Sequence, residues 1–143
     1  MKKAIRSCLL VLLVATLLVC STACTPYVSS FKALGLVRSA WGDHGSAQFK
    51  RLEGTLVLQL RMNGSADEGQ IHYTVSLDEG EINLYYDSLG EKELLCNVKA
   101  GESIDDLGGY VEGGKKVYII IETVKPSKGS VEVNLVKFSS PTL

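Results

Sequence analysis

Apolar and polar residues alternate one for one through most of this chain after residue 45, and that period of two restricts it to β structure. Leu56, Leu58, Leu60 and Met62 share one side of a run whose other side carries Gln59 and Arg61. Ile71, Tyr73, Val75 and Leu77 repeat the pattern against His72, Thr74 and Ser76, and Ile82, Leu84 and Tyr86 do so against Asn83, Tyr85 and Asp87. Val131, Val133 and Leu135 alternate with Glu132 and Asn134. In a strand successive side chains point to opposite faces, so each run has one face for a core and one for water. Val117-Tyr118-Ile119-Ile120-Ile121 is apolar on both sides and β-branched, which predicts a strand in the middle of a sheet. Glu93 to Val98 and Ser103 to Leu107 read as further strands. Asp78-Glu79-Gly80 reads as a hairpin, Lys125-Pro126-Ser127-Lys128-Gly129 as a turn, and Asn63 to Gly69 as a polar loop. The expectation is an all-β domain over residues 46–143, an antiparallel, jelly-roll-like β-sandwich of about seven or eight short strands.

The N-terminus carries a different message. Lys2, Lys3 and Arg6 precede an almost wholly apolar run from Leu9 to Val19, followed by Ser21-Thr22-Ala23-Cys24. A basic start, a short apolar stretch and small residues before a cysteine are the parts of an export signal, and the run is shorter than the ~20 residues a spanning helix needs. Together these residues resemble the lipobox of bacterial membrane lipoproteins, with Ser21 standing where that family usually has Leu. The resemblance covers only this segment. It implies a helical signal peptide over residues 1–23, cleavage between Ala23 and Cys24, and a diacylglyceryl group on the Cys24 sulfur. The chain would then be held by lipid on the extracytoplasmic face of the cell membrane or the outer membrane. Thr25 after the cysteine is compatible with outer-membrane sorting in a Gram-negative envelope. Two plainer readings use the same residues: ordinary cleavage that leaves Cys24 as a free thiol, or an uncleaved anchor. Residues 24–45, with Pro26, Gly35, Gly42 and Gly45, read as the lipidated N-terminus and a tether.

Charge and cysteine content narrow the function. Removal of residues 1–23 takes three of the 15 basic residues and none of the 16 acidic ones, so the mature chain carries −4. That balance argues against nucleic acid as a partner, because its binding rests on neutralising phosphates. It also supplies no polybasic patch for a membrane, so attachment falls to the lipid on Cys24. Of the four cysteines, Cys8 and Cys20 leave with the signal and Cys24 is acylated, which leaves Cys96 with no disulfide partner. Cys96 alternates with Leu94 and Val98 and reads as a small buried hydrophobe.

No motif carries catalysis. His44 and His72 are far apart in sequence and fit no zinc spacing, and there is no nucleophile elbow or phosphate-binding glycine loop. The acidic pairs Asp67-Glu68, Asp78-Glu79 and Asp105-Asp106 read as solvated turns, so no metal or other cofactor is expected. The aromatics are the route to a ligand. Tyr85 lies between Asn83 and Asp87 on an outward face, Tyr110 lies between two glycine pairs, and Trp41 lies in the tether. Each is a candidate contact for a sugar ring, and each has an ordinary packing role as its alternative, for Trp41 the covering of one end of the domain. The leading expectation is a lipid-anchored, non-enzymatic binding module whose partner is another envelope protein. A cell-wall or other polysaccharide ligand comes second, and an enzyme with a site dispersed over loops third. A protein partner predicts a contiguous exposed apolar patch, a glycan predicts a concave face with a solvent-facing aromatic, and catalysis predicts convergent titratable groups in a pocket.

Overall fold

A computed structural model of the chain describes residues 2–8, which are helical, and residues 26–138, which are almost entirely strand. The apolar run from Leu9 to Val19, Cys20, Ala23 and Cys24 lie outside the described residues. Among those that are described, no helix is long and apolar enough to cross a membrane.

Seven strands follow one another: β1 (Ser30–Leu34), β2 (Val37–Trp41), β3 (His44–Arg61), β4 (Glu68–Asp87), β5 (Glu93–Lys99), β6 (Ser103–Glu112) and β7 (Lys116–Lys137). All pairings are antiparallel. Three strands, of 18, 20 and 22 residues, are far longer than ordinary ones and run through both layers of a β-sandwich. The first layer has the order β2-β3-β7-β4-β6 and uses residues 44–49 of β3, 69–77 of β4 and 129–137 of β7. The second has the order β1-β3-β7-β4-β5 and uses residues 55–61, 82–87 and 116–122 of the same three strands.

At the corner between layers the register slips, in β3 between Phe49 and Thr55 and in β4 between Leu77 and Ile82. The inward side chains of β3 therefore change from Gly45, Ala47 and Phe49 to Leu52, Leu56, Leu58 and Leu60, so the apolar side stays on the core as the strand folds over. A Cβ at Gly45 in the first layer would press within 3.4 Å of Leu58 and Leu60 in the second, so a glycine there lets the facing leucines pack against its backbone.

Side chains clasp the corner. Gly54, at φ 118°, lies too close to the Ser30 carbonyl to admit a Cβ, and its N–H donates to Thr123 Oγ1 at 2.7 Å. Ser127 is 2% exposed; its hydroxyl accepts from Glu81 N at 3.1 Å and donates to the Lys125 carbonyl at 2.7 Å. At the opposite, open end lie the β2–β3 turn, the β3–β4 and β4–β5 loops and the β6–β7 turn, with Arg61 N donating to Gly42 O at 2.7 Å.

The structure revises four expectations. Asp78-Glu79-Gly80 is no hairpin, and 125–129 is no turn between separate strands; both are places where a continuous strand crosses the corner. Residues 30–41 of the expected tether are paired edge strands, because β1 and β2 bond along one side of β3. Leu94 does not join the inward row of Val98, since a bulge between Leu84 and Tyr85 sets it opposite Tyr85 and leaves it 56% exposed. The central strand is as expected: β7 holds the middle of both layers, with Ile119, Ile120 and Ile121 buried.

Candidate functional site

The register sorts every outward side chain into rows across the two layers, and the two outer faces differ in kind. In the second layer, Asn97, Asn83, Glu122 and Thr55 form one row, Leu94, Tyr85, Ile120 and Val57 the next, and Asp87, Tyr118 and Gln59 the third. This face is largely occupied by the protein itself. Tyr27 reaches across it from the N-terminal side, its ring centroid 5.4 Å from that of Tyr118 and its hydroxyl donating to Asp87 Oδ2 at 2.6 Å. That bond to a carboxylate, with burial, pushes the Tyr27 phenol up to about 12. The Lys92 ammonium sits 4.3 Å from the Tyr85 ring centroid and pairs with Glu122, so one face of the Tyr85 ring is covered. Ile120 and Asp87 are buried although both point outward.

The outer face of the first layer is open. Its rows are Val37-Gln48-Ser130-Ser76-Ser103, then Ser39-Ser46-Glu132-Thr74-Asp105, then Trp41-His44-Asn134-His72-Leu107. Most members of these three rows are neutral hydrogen-bonding groups, and all are at least partly exposed. Two grooves run along the face. One, of about 390 Å³, is lined by Val37, Gln48, Lys50, Ser76, Asp78 and Ser130 among others, and the second, of about 320 Å³, by Ser46, Gln48, Thr74, Ser130 and Glu132 among others. They share Val37, Gln48 and Ser130 and so form one continuous depression.

Local bonds fix the polar side chains of the third row. His44 Nδ1–H donates to Asn134 Oδ1 at 2.7 Å, and His72 Nε2–H donates to Asp105 Oδ1 at 2.5 Å. Two histidines distant in sequence thus flank Asn134, about 10 Å apart across two strand spacings. The alternation shows that His72 points outward, whereas His44 falls before the alternating region, and their shared row depends on a register that only the folded strands reveal. Neither lines a groove, and no group of three or more His, Cys, Asp or Glu converges among the described residues.

The three candidate aromatics do not form one site. Tyr85 is on the second layer, half-buried under Lys92. Tyr110 is at the edge of the first layer, where a hydrogen bond to Glu68, and then burial, push its phenol up to about 12. Trp41 belongs to edge strand β2 rather than to a tether and is 85% exposed, so it packs over no end of the domain. Cys96 is half-buried, and desolvation pushes its thiol up to about 11, which keeps it protonated.

No family model matches this chain, and no curated protein does. Among solved structures it is similar to a variant of a family 29 carbohydrate-binding module complexed with mannohexaose, at 15% identity and a TM-score of 0.41 over 80% of this chain and 83% of that one. Another variant of that module gives 16% identity and 0.41 over 84% and 92%. The CENP-C of Drosophila melanogaster bound to CAL1 gives 16% identity and 0.33 over 78% and 83%. Overlaps this low carry no argument about ligand or mechanism. The sandwich rests on the strand pairings themselves.

Proposed function

We propose that this chain is a lipid-anchored, extracytoplasmic binding module without catalytic chemistry, and that its ligand is a neutral saccharide taken on the outer face of the first layer. One observation carries the reading: an open depression in which Gln48, Ser130, Ser76, Ser46 and Thr74 present uncharged hydrogen-bonding side chains beside apolar residues and a balanced set of charges. Hydroxyl-rich ligands need many donors and acceptors of moderate strength, already oriented and cheap to desolvate. Strand-borne Ser, Thr and Gln supply them, whereas a phosphate or a carboxylate would call for clustered cations. Lys50 and Lys128 with Asp78 at one rim, and Glu132 within the groove, balance in charge and leave no net field for an ion. Anchorage through lipid on Cys24 follows from the lipobox-like N-terminus and puts this face outside the cytoplasmic membrane.

The test is retention of the detergent-solubilised full chain on immobilised neutral polysaccharides. Binding to one of them that falls about tenfold in a Gln48→Ala, Thr74→Ala double variant, and survives Tyr85→Ala, supports the proposal. No retention on any neutral glycan, or retention indifferent to the double variant, overturns it.

An envelope-protein partner is the second reading, and β2 favours it. All five residues of that edge strand are exposed, and among the described residues only β3 pairs with it, so its other side offers backbone groups to which a partner strand can add. A single protein crosslinked to the β2 edge, with no glycan retained, would move this reading to first place.

A further inference from the structure

We infer that the open end of the sandwich rests directly on the bilayer, with Trp41 in the interfacial region. The inference rests on anchorage at Cys24, and two observations carry it from there. The first is the shortness of the free chain. Tyr27 is pinned by its bond to Asp87 and its contact with Tyr118, and Ser29 Oγ accepts from Val57 N at 2.9 Å, so the backbone is fixed from residue 27 onward. Only Thr25 and Pro26 lie between Cys24 and Tyr27, and three fully extended Cα–Cα steps span about 10 Å. A lipid on Cys24 therefore holds the nearest part of the domain within one headgroup layer of the membrane.

The second observation is what that part of the domain presents. Tyr27 sits beside Tyr118 and Asp87, at the end of the second layer where β4 stops and β7 starts. Trp41 and the Gly42-Asp43 turn lie at the same end, tied there by the bonds from Arg61 N to Gly42 O and from Leu135 N to Asp43 O. Trp41 is 85% exposed, and Leu89, in the loop after β4, is 59% exposed. An indole this exposed is a poor choice facing bulk water and a good one at a membrane interface, where its ring meets apolar chains and its N–H meets headgroups. Charges of both signs are spread over this end of the sandwich, Arg61, Lys115 and Lys116 with Asp43, Glu91 and Glu112, so contact comes through apolar groups and not through attraction to anionic lipid.

The chain contains a single tryptophan, so its fluorescence reports Trp41 alone. The lipidated full chain is reconstituted into phosphatidylcholine vesicles and floated on a density gradient, which tests the anchor. Trp41 emission is then compared between ordinary vesicles and vesicles brominated near the top of the acyl chains, which tests the contact. Flotation, a blue-shifted maximum and loss of about half the emission to bromine are the expected results. A second protein, Trp41→Phe with Val124→Trp, moves the probe to the exposed corner at the far end and should float unquenched. Flotation with unquenched Trp41 overturns the docking and leaves the anchor standing, and equal quenching at both positions overturns the orientation. A chain that stays at the bottom of the gradient overturns anchor and docking together.

Discussion

Replacing Tyr27 with Phe tests the clasp that holds the N-terminal segment against the second layer. The substitution keeps the ring against Tyr118 and removes one hydrogen-bond donor. Asp87 is only 5% exposed, and the Tyr27 hydroxyl is one of its two partners, the other being Gly90 N at 2.7 Å. A hydrogen bond to a charged group contributes about 1.5–3 kcal/mol, and losing the donor strands part of a buried carboxylate. Tyr27 itself is half-exposed, so water can partly replace the hydroxyl, which places the cost near the lower end, about 1.5 kcal/mol. For a domain of this size about 4 °C of Tm accompanies each kcal/mol, so thermal unfolding followed by near-ultraviolet circular dichroism should show a loss of about 6 °C. A cycle with Asp87→Asn isolates the bond: the double variant should cost about 1 kcal/mol less than the sum of the single ones. A Tm shift below about 2 °C, together with additivity within about 0.5 kcal/mol, would refute the claim that this bond fixes the N-terminal segment.

Ser127→Ala removes a buried hydroxyl that serves Glu81 N and the Lys125 carbonyl at the corner; denaturant unfolding should show a loss of about 2 kcal/mol with an unchanged slope. The raised phenols of Tyr27 and Tyr110 bind their protons more tightly folded than unfolded. Their share of stability is therefore intact below pH 10 and lost between pH 10 and about 12, and Tyr27→Phe should flatten that decline in urea titrations run across the range. Cys96, with its thiol pushed up to about 11, should resist iodoacetamide at pH 8 in the folded protein and alkylate at the ordinary thiol rate in urea, as read by peptide mass spectrometry.

The buried rows were legible in the sequence because alternation is a local property. Leu56, Leu58, Leu60, Ile71, Tyr73, Val75, Leu77, Ile82, Leu84, Val131 and Val133 all lie in the core as their spacing predicts. The corners were not legible, because a strand that folds between layers uses the same residues as a strand that ends. Gly80, at φ 89°, breaks the alternation as a hairpin glycine would, and Pro126 with Gly129 does the same in β7. Leu94 was misplaced because one bulged residue reverses the face of everything beyond it. The candidate face was hidden for a related reason. Gln48, Ser130 and Ser76 come from three distant segments, and only the pairing of β3, β7 and β4 makes them neighbours.

Long strands shared by both layers also explain why one face of the sandwich is open and the other closed. β3, β7 and β4 pass through both sheets, so neither layer can be shed or shifted without unpairing the other, and the two outer faces are fixed relative to each other. The chain enters along the second layer, where Ser29 and Tyr27 hold it against β3, β7 and β4, and that entry covers the second face. It then turns along β3 into β1 and β2, which lie end to end on the same edge, and among the described residues no segment overlies the first face. A ligand of several linked units can therefore lie across the first layer alone.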